Sequence, residues 1–248
     1  MKPAPFEYHR PRTREEALAL LTRHAGDARP LAGGQSLIPA MNFRLATPKV
    51  LVDLNAIDDL SYIEPLDGGG VRIGGMTRQR TVERSDLVRR EAALLHEAMP
   101  FVAHPVIRNR GTVGGSLSHA DPAAELPAVM VALDARFVVE GPGGPRAIPA
   151  AEFFIGLFAT ALEPGSLLTG IEIPRPSTGD GRSGWAFREV SRRRGDFALV
   201  GVAASVMVGD GGRGRCTAAR IALLSVGDRP MLAAHAARSI IGETPSAD

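Results

Sequence analysis

The sequence predicts an α+β fold, in which strands and helices mix without the regular strand–helix–strand rhythm of a doubly wound sheet. Three observations predict it. Strand-like runs rich in Val, Ile and Leu recur at 49–54, 136–140 and 167–174. Capped helical segments lie between them at irregular intervals. A Gly-, Ser-, Pro- and charge-rich stretch, "RPSTGDGRSG" at 175–184, then separates these elements from two long strand-like runs, which marks a second, smaller unit.

The elements follow in order. "TREEALALLTRHAG" offers Thr13 as N-cap with Glu16 three residues on, a capping box. Ala17, Leu18, Leu20 and Leu21 supply its apolar face, and Gly26 stops it. A short strand ends at Leu31, and "KVLVDL" is strand-like. "GGGVRIGGM" alternates around Val71 and Ile73, and two charged helical stretches occupy about 80–98. Asp121 is a good N-cap and Pro122 a good first helical residue, so "DPAAELPAVMVAL" reads as a helix. Leu126, Val129, Met130 and Leu133 would be its buried face. "RFVVE" is a strand, "GPGGPR" a turn, "AEFFIGLF" a short aromatic-rich helix and "LLTGIEIP" a strand. After the linker, "FALVGVAASVMVG" and "TAARIALLSVG" are strands joined by the hairpin-like "DGGRGRC", and "PMLAAHAARSIIG" is a closing helix.

Composition narrows the function classes. The chain has 248 residues, 44% hydrophobic and 23% charged, enough for one main domain and a small one. A net charge of +2 without a basic stripe is no nucleic-acid signature. No apolar run approaches the roughly 20 residues of a membrane helix, and "MKPAPFEYHRP" lacks the apolar core of a secretory signal. Cys216, the one cysteine, excludes an internal disulfide and any four-thiolate metal or iron–sulfur site in this chain. A reducing, cytoplasmic setting is expected.

Two stretches carry candidate chemistry: "LAGGQSLIP" at 31–39 and "RGTVGGSLSHADP" at 110–122. Gly-rich backbone can approach a phosphate closely and turn several N–H groups toward it. Ser36, Thr112, Ser116 and Gln35 could add side-chain donors, and a helix starting after the second stretch would add its dipole. Taken alone, each stretch is better read as a plain turn, since short motifs have many false positives. Neither is a GxGxxG or a GxxxxGK[ST] motif. The six histidines show no metal-ligand spacing. Ser116, His119 and Asp121 lie too close in sequence for a hydrolytic triad, and no GxSxG elbow is present. In "REVSRRRGDFALV", Arg192 to Arg194 read as a solvated turn and Phe197 as the start of a core strand. The alternative is a basic patch over phosphates, with Phe197 stacked on a planar ring.

Together these segments resemble the FAD-binding medium subunit of the molybdenum hydroxylases, the flavoprotein of the carbon monoxide dehydrogenase and xanthine dehydrogenase family. "KPAPFEYHRPRTREEALALL", "LAGGQSLIPAMNFRLATP", "IRNRGTVGGSLSHADPAAELPAVMVALDA", "FFIGLFATALEPGSLLTGIEIP" and "RRRGDFALV" carry the resemblance over nearly the whole chain. It implies a vanillyl-alcohol-oxidase/PCMH-type FAD domain of two α+β subdomains at 1–176, then a small, shortened α+β C-terminal domain at 177–248. By resemblance, Ala32, Gly33, Gly34, Gln35 and Ser36 hold the FAD pyrophosphate from one side, and Gly111, Thr112, Val113, Gly114, Gly115 and Ser116 from the other. Leu37 and Ile107 would lie near the flavin or ribityl chain, Glu125 would accept from a ribose hydroxyl, and Leu168 would line the adenine pocket. Arg188 and Phe197 would lie near the flavin, Phe197 shielding its ring. Ser116 stands where many relatives have Asn.

The resemblance further implies an electron-transfer role. Electrons from a molybdenum cofactor on a large partner subunit would pass through [2Fe-2S] clusters on a small one to this FAD, and then to a small-molecule acceptor. The assembly would be a heterotrimer, which could pair into a dimer of heterotrimers. A stand-alone FAD oxidoreductase or monooxygenase, and a non-catalytic nucleotide-binding or scaffold protein, are the alternatives.

Overall fold

A computed structural model describes residues 2–175, 181–210 and 213–246. The chain opens with β1 (Glu7–His9), α1 (Arg14–Arg23), β2 (Ala28–Leu31), α2 (Leu37–Asn42) and β3 (Val50–Asp53). Thr13 caps α1 as expected, its hydroxyl accepting from the Glu16 amide at 3.2 Å. The Glu16 carboxylate reaches one residue further back than a capping box requires, to the Arg12 amide at 2.8 Å. The three strands form a parallel sheet in the order β1-β3-β2. Ala17 and Leu21 of α1 pack with Val52, Leu54, Ile57 and Leu60 in a core of their own.

The second unit runs through β4 (Ile63–Pro65), β5 (Gly70–Gly74), α3 (Gln79–Glu83), α4 (Asp86–Glu91), α5 (Ala93–Ala98), α6 (Pro105–Arg108), α7 (Val113–His119) and α8 (Glu125–Ala132). It closes with β6 (Arg136–Glu140), β7 (Arg146–Pro149), α9 (Ala150–Phe153), the short pair β8 (Phe154–Gly156) and β9 (Ala159–Thr160), and β10 (Leu167–Pro174). Its antiparallel five-stranded sheet has the order β4-β5-β10-β6-β7. β10 is the central strand and buried along most of its length, its Glu172 carboxylate paired with Arg72 of β5 at 2.8 Å.

The third unit holds β11 (Arg182–Ser191), β12 (Ala198–Val208), β13 (Cys216–Leu224), β14 (Met231–Leu232) and α10 (Ala234–Ile240), its sheet ordered β11-β12-β13-β14. Phe187, Ala203, Ala222 and Leu224 join the same buried cluster as Ile73, Ile171 and the apolar residues of α8. The Arg220 guanidinium and the Ser205 hydroxyl reach the Val131 and Ala132 carbonyls at the end of that helix. All eight residues of α8 are therefore buried, Glu125 and Pro127 included. A single apolar stripe was expected. The helix is instead covered by β12 and β13 on one side and by α5, α7 and α9 on the other, and such a helix is apolar all round.

Four further expectations need correction. α8 starts at Glu125, not after Asp121: the Asp121 carboxylate accepts from the Ala123 amide at 2.9 Å, a local turn that uses up its capping capacity. The second glycine stretch is not a loop before a helix, because Gly114 and Gly115 form the first turn of α7. "AEFFIGLF" is helical only to Phe153, since Phe154 turns into a strand that pairs with β9. The stretch at 175–184 is not all linker, because β11 begins at Arg182; residues 176–180 lie outside the described residues.

Candidate functional site

The first glycine stretch leaves the end of β2 and turns into α2. Gly34 takes φ +72°, a conformation that costs an L side chain but not glycine. Among the described residues, the amides of Gly33, Gly34, Gln35, Ser36 and Leu37 donate to no protein acceptor, while the Gln35 side chain holds the Gly33 carbonyl at 3.1 Å. Five successive N–H groups on one partly exposed turn are thus left open, and a run of free backbone donors is what an anion requires.

The second stretch faces the first. A Cβ added to Gly33 would land on the Arg110 carbonyl oxygen and lie 2.8 Å from the Gly111 Cα, and one added to Gly115 would meet the Ala32 Cβ at 3.4 Å. The two segments therefore touch, backbone against backbone. Most of its amides, however, are already used. Val113 donates to the Thr77 carbonyl at 3.0 Å, Gly114 to Gly75 at 2.9 Å, Gly115 to the Thr112 hydroxyl at 3.1 Å and Ser116 to the Thr112 carbonyl at 3.2 Å. Gly114 is glycine because its Cβ would lie 2.6 Å from the Gly75 carbonyl oxygen, whereas a Cβ at Gly111 would meet the Gln79 side-chain oxygen at 2.5 Å and the Ile107 carbonyl oxygen at 3.2 Å. Among the described residues the Thr112 amide alone stays open between 111 and 116, so most open backbone donors come from 33–37, and the second segment contributes a wall of small residues.

Two residues that no motif marked lock the segments together. Asn55 donates to the Ala32 carbonyl at 2.9 Å and accepts from Arg78 at 2.6 Å, and Arg78 also donates to the Arg110 carbonyl. Burial, then the nearby Arg110 charge, lower the Arg78 pKa, with Asp53 opposing. Burial also works against the Asp53 carboxylate, but bonds from Tyr8 and Asn55 outweigh it and hold its pKa below the usual value. Two guanidiniums against one committed carboxylate leave this end of the site positive.

The remaining residues extend from that point. Leu37 starts α2, half-buried, and Leu168 on β10 is buried, its carbonyl oxygen in the way of any Cβ at Gly75. Ile107 sits on α6, which runs from His104 into the second segment. Arg108 of α6 is anchored by Glu83 at 2.9 and 3.0 Å and by the Val102 and Ala103 carbonyls, fixing the start of that segment. Gly195, at φ +87°, packs on the His104 ring and brings the 191–197 loop alongside. There a cleft of about 420 Å³ is lined by Pro100, Phe101, Glu189, Arg194 and neighbours. Arg188 points elsewhere, pairing with Glu97 at 2.9 Å. It is Glu189, unmarked in the sequence, that lines the cleft. Phe197 is 68% exposed, so it does not begin a core strand; the aromatic ring stands free at the loop's end. Arg192 to Arg194 form the exposed turn that was expected.

Glu125 lies deep beside this region. Burial first, then the Glu189 and Asp121 charges, push its carboxyl up to about 7, with Arg108 opposing. Among the described residues no group of three or more His, Cys, Asp or Glu side chains could hold a metal ion, and no helix is long and apolar enough to cross a membrane.

Open amides with two guanidiniums beside them suit an anionic ligand. Residues 4–176 match the FAD binding domain in molybdopterin dehydrogenase, and residues 185–248 match the CO dehydrogenase flavoprotein C-terminal domain. The chain is 43% identical to the carbon monoxide dehydrogenase medium chain of Afipia carboxidovorans, over 98% of this chain and 82% of that protein. It is 41% identical to the 6-hydroxypseudooxynicotine dehydrogenase complex subunit alpha of Paenarthrobacter nicotinovorans, over 99% and 81%. The solved carbon monoxide dehydrogenase of Hydrogenophaga pseudoflava superposes with a TM-score of 0.93 at 39% identity, covering 100% of this chain and 84% of that one. The chain belongs to the family of FAD-binding medium subunits of molybdopterin dehydrogenases.

Proposed function

We propose that this chain is the FAD-carrying, electron-transferring subunit of a heterotrimeric molybdenum hydroxylase. The observation that carries the reading is the row of five open amides at 33–37, locked against Arg110–Ser116 by Asn55 and Arg78. A diphosphate would be bound by the 33–37 amides and the Ser36 and Ser116 side chains, with Ala32, Gly33, Gly34, Gly111, Thr112, Val113, Gly114 and Gly115 supplying the closely packed walls. Gln35 would keep the turn in shape through its bond to Gly33. Glu125 would meet a sugar hydroxyl, Leu168 would cover the adenine, and Leu37 and Ile107 would flank the ribityl chain. Phe197 would shield the flavin ring, Arg188 would hold β11 to α5 beside it, and the cleft at Phe101 and Glu189 would admit the electron acceptor. The bound flavin supplies the capacity to take electrons singly or in pairs; the protein's part is placement, exclusion of water and tuning by nearby charge.

The division at 176/177 is the reading that fits the two matched segments, 4–176 and 185–248. Cys216, buried and free, gives this chain no iron–sulfur ligands, so the [2Fe-2S] clusters and the molybdenum cofactor belong to partner subunits. A cytoplasmic location is consistent with that thiol. A visible spectrum of the purified protein combined with native mass spectrometry tests the reading. Flavin bands with co-purifying large and small subunits are expected. Flavin without partners favours a stand-alone oxidoreductase or monooxygenase, and a colourless protein that cannot be reconstituted with FAD favours a non-catalytic scaffold.

A further inference from the structure

One buried group is not used by the cradle. Glu125, in the first turn of α8, is 6% exposed; its carboxyl takes a bond from its own backbone amide, which opposes but does not outweigh the effect of burial, and among the described residues none from another residue. The charged groups around it are of its own sign. Asp121 lies in the turn before α8, and Glu189 of β11 has a buried carboxyl oxygen, Oε2, without a partner. The nearest cation, Arg108 of α6, is committed to Glu83 and to two carbonyls. The other elements packed on α8 bring no free cation toward it. Arg220 of β13 is held by Val131 and Asp134 at the far end of the helix, Glu97 of α5 is paired with Arg188, His119 of α7 rests on Phe158 with burial lowering its pKa, and α9 adds only Glu152. α5 also carries His96.

Resting on the reading that FAD fills this site, we propose that Glu125 meets the cofactor as a neutral carboxylic acid, so that FAD binding takes up a proton. Before the cofactor arrives, burial and the two neighbouring carboxylates already place this carboxyl near neutrality. FAD brings two phosphate charges and displaces water, and both act in the same direction. Among the described residues, the elements packed on α8 bring no free cation to reverse them. A neutral acid also suits a sugar hydroxyl better than a carboxylate in one respect, since it can donate as well as accept.

Calorimetric titration of FAD into the FAD-free full-length chain, repeated at pH 8 in buffers of different ionisation enthalpy, counts the protons. Uptake approaching one proton is expected. Affinity should be flat below about pH 6 and fall toward tenfold per pH unit above pH 7, as one-proton linkage requires. Glu125→Gln, which mimics the neutral acid, should abolish the uptake and keep the low-pH affinity of the wild type up to pH 9. Proton release, no proton exchange, or affinity that tightens with rising pH overturns the proposal, as does a Glu125→Gln protein whose uptake persists. If that variant does not fold, the wild-type proton count decides alone. Absence of any binding heat or bound flavin at every pH is a separate outcome, which removes the FAD reading and this inference with it.

Discussion

The contact between the two glycine segments can be tested by a single methyl group. In Gly33→Ala the new Cβ would sit on the Arg110 carbonyl oxygen, 2.8 Å from the Gly111 Cα and 3.0 Å from the Arg110 carbonyl carbon. Carbon atoms are comfortable at about 3.5–4.0 Å, so the segments must part by roughly 0.7 Å or more. Both neighbours are backbone and cannot rotate away. Overpacking of this kind costs about 1–3 kcal/mol, and because the strain lies inside the cradle, it should appear in FAD affinity as a weakening of about 5- to 150-fold. Fluorescence titration of FAD into the FAD-free variant measures it. Gly143→Ala is the control, since a Cβ there meets nothing within 4 Å. Affinity within twofold of wild type for Gly33→Ala would refute the reasoning, because the segments would then have no need to abut.

Other outcomes follow from the same geometry. Asn55→Ala removes the bonds to Ala32 and Arg78 and should weaken FAD binding by about 1 kcal/mol, roughly fivefold, in the same titration. Arg108→Met strips Glu83 of a bidentate partner and orphans the Val102 and Ala103 carbonyls, so urea unfolding should show a loss of about 3–5 kcal/mol. The pH dependence of stability has a definite sign at Glu125. A carboxyl whose folded pKa is raised from 4.5 to about 7 makes the native state lose stability as pH climbs from about 4.5 to 7, because the folded form binds more protons than the unfolded one there. Glu125→Gln should therefore leave FAD-free stability unchanged near pH 4 and raise it by up to about 3 kcal/mol at pH 8; equal unfolding midpoints for both proteins at pH 8 would contradict this.

What could be read in the chain was what is settled locally. The Thr13 cap, the Gly26 stop and the strand β10 each depend on a few adjacent residues, and all three stand where expected. α7 could not be read, because two glycines in a first turn argue against a helix by about 1 kcal/mol each. Gly114 is there because it must press on Gly75, thirty-nine residues away in the chain. β11 was hidden for a related reason: "RSGWAFREVS" becomes a strand through its ladder with β12, from Arg182 beside Val208 to Ser191 beside Ala198. In the site, the glycine runs were visible, whereas the Asn55–Arg78 lock spans 23 residues and the Arg78–Arg110 bond spans 32, with no motif to mark either. Glu125 was legible by position, but its charge state depends on Glu189, whose placement only the fold reveals.

The helix α8, enclosed on every side, has a consequence for how the molecule comes apart. Two separately recognisable family segments share one interior, since Phe187 and Ala222 belong to the same cluster as Ile73 and Ile171. Neither part has a dry core of its own at that seam. Heat or denaturant should then dismantle both together, and a chain cut between them would leave each half with a greasy open face instead of a free-standing module.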